Sequence, residues 1–149
     1  MLKGIPPILS PALLKALCEM GHGDEVVIAD GNFPCESLGK NAVVIRADGH
    51  GAEEMLDAVL QMMPLDTYVE KPVALMDVVL GDACLAPDIW VRYKGILARY
   101  EPENSQIEMM ERFAFYERAK KAYLIIATGE TKIYANVLLK KGTIQQYTA

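Results

Sequence analysis

The chain has 149 residues, 52% of them apolar and 23% charged, with a net charge of −5. This composition is that of a globular domain large enough to bury a core, and it excludes a disordered chain. The negative charge weighs against nucleic acid, whose binders need a basic stripe, and against an anionic membrane surface.

A single soluble domain over residues 1–149 is therefore expected, cytoplasmic, with neither nucleic acid nor membrane as partner. The cysteines Cys18, Cys35 and Cys84 are odd in number and widely spaced, with no Cys-x-x-Cys. They read as free thiols of a reducing compartment, Cys18 on the core face of a helix. Met1–Met20 is apolar, but Pro6, Pro7 and Pro11 break the run, and Lys15 and Glu19 fall where a signal peptide stays uncharged. No run approaches the ~20 apolar residues of a membrane span.

In chain order, Ser10 and Pro11 start a helix, the hydroxyl as N-cap and the proline at the first helical position. Leu13, Leu14, Leu17 and Cys18 form its apolar face, and Gly21 is expected at the left-handed position that ends it. Val26–Ala29 is a continuous apolar run, the mark of a strand covered on both faces. His22 lies on the turn before this strand and Asp30 where it gives out. The two are thus ~15 Å or more apart within one chain. Asn32–Lys40 reads as a loop and Ala42–Ala47 as a second strand. Ala52–Met63 is an amphipathic helix with Glu53, Glu54 and Asp57 toward its positive end, stopped by Pro64. Val73–Leu80 is predicted as a third strand broken by Asp77, and Pro87–Tyr100 as a helix facing inward with Ile89, Trp90, Tyr93, Leu97 and Tyr100. Ile107–Met110 reads as a short strand, Phe113–Lys121 as a helix, and Tyr123–Ala127 and Val137–Leu139 as the last strands. Helices alternating with buried strands predict a three-layer α/β domain with a largely parallel sheet. In such sheets ligands bind beyond the carboxyl ends of the strands, where Asp30, Asp48 and Thr128-Gly129 fall.

Several chemistries find no footing. Gly21-His22-Gly23 precedes a strand, the wrong side for a dinucleotide loop. Gly49-His50-Gly51 follows one, but lacks the third glycine and puts Glu53 and Glu54 where a phosphate would sit. His22 and His50 with Asp24, Asp30 and Asp48 show no ligand spacing, so neither metal nor cofactor is expected. There is no Gly-x-Ser-x-Gly and no cysteine in a nucleophile setting. What remains suits proton transfer and hydroxyl binding. A histidine such as His22 serves as acid or base near neutrality, and Asp30 accepts from hydroxyls or acts as a base. Spacing equally allows His22 to cap the preceding helix and Asp30 the next segment. Arg112 and Tyr116, four apart, share a helix face distinct from the apolar face of Phe115, Ala119 and Ala122. They read as a site wall or as a surface arginine covering a ring. Tyr134-Ala135-Asn136 sets a phenol and an amide on a turn, or packs a tyrosine at the sheet edge.

Taken together, these stretches resemble the ribose pyranase / fucose mutarotase family, its fucose mutarotase branch in particular. The matching pieces run in order over nearly the whole chain. They include Ile8-Leu9-Ser10-Pro11, Glu19-Met20-Gly21-His22-Gly23-Asp24-Glu25, Asp30 with Asn32-Phe33-Pro34, and Ile45-Arg46-Ala47-Asp48-Gly49. Further on come Pro64-Leu65-Asp66-Thr67-Tyr68-Val69, Arg112 through Ala119, Thr128-Gly129-Glu130, and Tyr134-x-Asn136 before Leu138-Leu139-Lys140-Lys141-Gly142. The resemblance implies a ribose pyranase-like α/β fold and an isomerase that interconverts the α and β anomers of a free sugar, L-fucose, without a cofactor. It implies His22 as the catalytic acid and Asp30, Arg112, Tyr134, Ala135 and Asn136 as sugar-binding positions. It also implies a ring-shaped homodecamer whose sites are completed by a neighbouring subunit, so that His22 meets Asp30 and Arg112 across a boundary. One departure is that the fucose branch usually has Tyr-Gly-Asn, whereas Ala135 is the ribose-branch spelling. A D-ribose pyranase and a sugar-binding module without turnover are the alternatives.

Overall fold

Strands and helices follow the order of the apolar runs: α1 (Pro11–Glu19), β1 (Glu25–Ala29), α2 (Cys35–Leu38), β2 (Val43–Ala47), α3 (Ala52–Met62), β3 (Val73–Met76), α4 (Asp88–Tyr100), β4 (Ile107–Met110), α5 (Arg112–Ala119), β5 (Leu124–Thr128) and β6 (Val137–Lys140). The structure, a computed structural model, describes residues 1–83 and 87–145, so Cys84 lies outside the described residues.

The strands form one sheet in the order β2-β5-β1-β6-β3-β4. β1, β2 and β5 are mutually parallel, as are β3 and β4, and β6 is antiparallel to both of its neighbours, β1 and β3. Five strands thus share one direction and β6 runs against them. Alternate side chains feed two cores. Val26, Ile28, Leu75, Leu124, Ile126, Val137 and Leu139 pack with α1, α3 and α4 on one face. Val27, Ala29, Ala74, Ile125, Ala127 and Leu138 pack with Cys35 and with Phe115 and Ala119 of α5 on the other. The predicted three-layer α/β domain with a largely parallel sheet is what the chain forms. β1 and β5 are the continuous apolar runs because both of their faces are covered.

Five local expectations are corrected. Ser10 does cap α1, its hydroxyl accepting from Leu13 N at 3.2 Å, but the helix ends at Glu19 with Met20 extended, and no left-handed glycine closes it. The ammonium of Lys141 instead takes up the free carbonyls of Leu17 (2.8 Å) and Met20 (2.5 Å), and the left-handed residue is Gly23 in the next turn. Cys18 is exposed, because the inward face of α1 is Leu13, Ala16 and Leu17. β3 stops at Met76, before Asp77, and the loop Asn32–Lys40 contains the short helix α2. α5 begins at Arg112, one residue early, because the Glu111 carboxylate caps it by accepting from Phe113 N and Ala114 N.

Candidate active site

The carboxyl ends of the five parallel strands and the amino end of β6 converge on one edge of the sheet. A cavity of about 190 Å³ opens there, lined by Asp30, Phe33, Met76, Arg112, Tyr116, Tyr134 and Asn136 among others. It is smaller than the ~300–1,000 Å³ of drug-sized sites and suits one small ring. A larger groove of about 520 Å³ between α3 and α4 offers no comparable set, since Arg92 pairs with Glu53 and Arg99 with Asp57.

Asp30 is 5% exposed and sits where β1 gives out. Its Oδ1 accepts from Asn32 N at 3.0 Å and its Oδ2 from Ala135 N at 3.3 Å, while its own N–H donates to Asn136 Oδ1 at 2.8 Å. The carboxylate therefore turns the chain and lines the cavity at once. Burial pushes its pKa up, against the pull of the Asn32 and Ala135 N–H groups. Arg112 lies at the first position of α5, where Nε donates to Tyr116 Oη at 3.1 Å and the guanidinium lies over the rings of Phe113 and Tyr116. The Phe33 ring meets Tyr116 edge-on at 5.5 Å and backs this wall. Tyr134 donates its phenolic proton to Asp82 Oδ2 at 2.5 Å and accepts from Val79 N at 3.2 Å.

Tyr134 is the single non-glycine residue with positive φ among the described residues, at +56°. For an L-residue that conformation costs ~1–2 kcal/mol. Ala135 beside it is fully buried behind the cavity wall, its carbonyl accepting from Tyr93 Oη at 2.6 Å. Because the left-handed position is 134, the alanine spelling strains nothing.

His22 is not in this cavity. It lies at the opposite edge of the sheet, before β1, with Nε2 at 2.9 Å from Asp66 Oδ1. The imidazole is 42% exposed and the Asp66 side chain 3%. Burial alone would raise the Asp66 carboxyl. The Tyr68 N–H, the His22 ring and the Lys140 charge together hold it below its ordinary value. Asn104 Nδ2 fixes the Asp66 carbonyl at 2.7 Å, and the exposed Tyr68 ring stands 5.1 Å from the imidazole. Asp30, Arg112, Tyr134 and Asn136 thus come together in one chain, and His22 is held apart from them.

Asp66 was missed as a partner because it lies 44 residues from His22 and its Asx turn onto Tyr68 N looks like ordinary loop chemistry. Asp48 falls past β2 as expected, but its carboxylate pairs with Arg46 at 2.7 Å and it does not line the cavity. The start of α3 after Gly49-His50-Gly51 is already filled by carboxylates. Glu54 accepts from Gly51 N at 2.9 Å and Glu130 from Ala52 N at 3.1 Å, which leaves no cradle for a phosphate. Burial pushes the Cys35 thiol up to about 11, away from nucleophile chemistry.

Residues 3–144 match the RbsD / FucU transport protein family. The fucose mutarotase of Mus musculus is 52% identical over 146 residues, covering 96% of this chain and 95% of that protein. FucU from Bifidobacterium longum superimposes with a TM-score of 0.93 at 56% identity, over 96% of this chain and all of the other. A fucose mutarotase from Streptococcus pneumoniae solved in complex with L-fucose superimposes with a TM-score of 0.90 at 48% identity, over 97% of this chain and all of the other. The chain belongs to the RbsD / FucU transport protein family.

Proposed function

We propose that this protein is a fucose mutarotase, an isomerase that interconverts the α and β anomers of L-fucose by acid–base ring opening and closure. The observation that carries the reading is the cavity itself. It gathers two carboxylates, a guanidinium, two phenols and two amides around space for one small ring, and relatives of about half-identical sequence bear that activity in their names.

The reaction moves protons only. The ring oxygen gains a proton as the C1–O5 bond breaks and the anomeric hydroxyl gives one up, leaving an open aldehyde. Rotation about C1–C2 and closure on the other face return both protons. An imidazole suits either direction, and such assistance is worth ~10²–10⁴-fold. His22 is assigned the proton at the ring oxygen. Its Nε2 faces the Asp66 carboxylate, which fixes the tautomer and leaves Nδ1 to the sugar. Asp30 and Arg112 hold and polarise hydroxyls, and Tyr134 and Asn136 position the ring, with Ala135 shaping the wall behind them. Tyr116, whose hydroxyl is on Arg112, is the candidate second proton carrier.

This assignment needs the His22 of one copy to reach the cavity of another. Exposed apolar side chains border both half-sites, which supports such an assembly: Tyr68 beside His22, and Phe113, Ile133 and Val79 around the cavity. The reading takes residues 1–149 as one domain, acting in the cytoplasm as a ring-shaped homodecamer.

Saturation-transfer NMR of fucose tests it. The wild-type protein should speed anomer exchange, and folded His22→Ala should lose ~10²-fold or more. Wild-type exchange in His22→Ala would remove that residue from the chemistry. Tight fucose binding with no acceleration would leave a sugar-binding module instead. A panel of fucose, ribose and galactose decides the sugar preference.

A further inference from the structure

The left-handed backbone at Tyr134 is held from outside the cavity. The indole N–H of Trp90 donates to the Tyr134 carbonyl at 2.8 Å, and Tyr93, three residues on along the same face of α4, donates its hydroxyl to the next carbonyl, Ala135, at 2.6 Å. From the sheet side, Asp30 Oδ2 takes the Ala135 N–H and the Asn136 amide takes the Asp30 N–H. Two consecutive carbonyls are thus gripped by one helix and the intervening N–H by a strand end. A strained φ persists only where its surroundings over-determine it, and these four bonds hold the backbone on either side of that residue. In the left-handed form the Tyr134 carbonyl faces α4 while its side chain lines the sugar cavity. Relaxing the residue to a negative φ would break the first contact and redirect the second.

We propose that Trp90, backed by Tyr93, is a positioning residue of the sugar site: its indole N–H holds the Tyr134 carbonyl, keeps that residue left-handed, and so aims the phenol into the cavity. For its kinetic readout this rests on the isomerase reading above. Trp90 touches no sugar in this scheme and acts only through residue 134.

The test uses the fact that the chain contains one tryptophan. Growth on the benzothienyl analogue of tryptophan, in which sulfur replaces the indole N–H, changes position 90 alone and keeps its shape. Anomer exchange is then measured in two backgrounds, the wild-type chain and Tyr134→Gly. Glycine takes the left-handed conformation without strain and carries no phenol, so there the N–H still meets the carbonyl but has no side chain to aim. The analogue should lower kcat/KM about tenfold in the wild-type chain and less than about twofold in Tyr134→Gly. A side chain that merely fills core would cost both backgrounds the same factor. A ratio between the two factors below three overturns the proposal, including the case where neither changes. Trp90→Phe in the same two backgrounds replaces the analogue if the labelled protein does not fold. If the wild-type protein exchanges no aldose, the isomerase reading fails, and a crystal structure of the analogue protein decides the proposal. Tyr134 leaving positive φ upholds it, and Tyr134 staying there overturns it.

Discussion

Asp30 is held by two backbone N–H groups in a place that burial makes unfavourable for its charge, and burial wins, so its folded pKa lies above the unfolded value of about 3.9. For a carboxyl with a raised pKa the native state binds the extra proton. The destabilisation is complete above the folded pKa and vanishes below the unfolded one. Asp30→Asn loses one of the two N–H bonds, because an amide nitrogen cannot accept, but its stability should gain on that of wild type as pH rises from below about 4 toward neutrality, while anomer exchange collapses. Urea unfolding across pH, beside the exchange assay, checks both halves; a variant that loses ground to wild type as pH rises would contradict the sign. Asp66 carries the opposite sign. Its pKa is lowered, so its contribution is present above the unfolded value and is lost as pH drops through the folded one. Asp66→Asn should flatten the acid limb of stability and slow exchange by ~10-fold or more through loss of the oriented tautomer; unchanged exchange at neutral pH would leave Asp66 a purely structural residue. His22 and Asp30 were legible in the sequence as polar groups at the two ends of one strand. The bond between His22 and Asp66 was not, because no local pattern encodes a contact 44 residues long.

At the scale of elements, α5 carries Arg112 and Tyr116 yet buries few of its eight residues, chiefly Phe115 and Ala119. Its second hold is Arg118, which bonds Glu25 at 2.5 Å and Glu108 at 3.1 Å. Phe115 is fully buried, so Phe115→Ala should cost ~3–5 kcal/mol in urea unfolding and loosen the cavity wall with it; a loss under ~1 kcal/mol would mean that Arg118 alone anchors the helix. Gly129 marks a second tight point, where an added Cβ would run into the Asp48 carbonyl. The strands that are buried on both faces, β1 and β5, announced themselves as unbroken apolar runs. The end of β3 did not. Val78, Val79 and Leu80 continue its apolar pattern, but Val79 lines the cavity and Leu80 is fully exposed, so apolar character there serves a surface. The misplacement of Cys18 has the same root: α1 turns Ala16 inward, and the pattern of larger side chains concealed it.

At the scale of the molecule, His22 and the cavity occupy opposite edges of one sheet, and no bending of a single chain brings them together. If copies complete one another's sites, subunits of His22→Ala mixed with subunits of Arg112→Ala should recover activity that neither has alone. Random exchange leaves intact about a quarter of the sites shared between two chains. No recovery after verified subunit exchange would return the whole chemistry to one chain. The sheet order has a further consequence for how the protein is made. β6 is the last strand in sequence and yet the seam that joins the β2-β5-β1 trio to the β3-β4 pair. While the chain emerges from the ribosome, at ~5–20 residues per second, β1 and β3 each wait for residues 137–140 with one edge bare, a template for pairing with other chains on a scale of seconds. Synthesis interrupted before Val137 should thus yield aggregate and not a weakened enzyme, so that translation itself discards any copy lacking the turn that aims Tyr134.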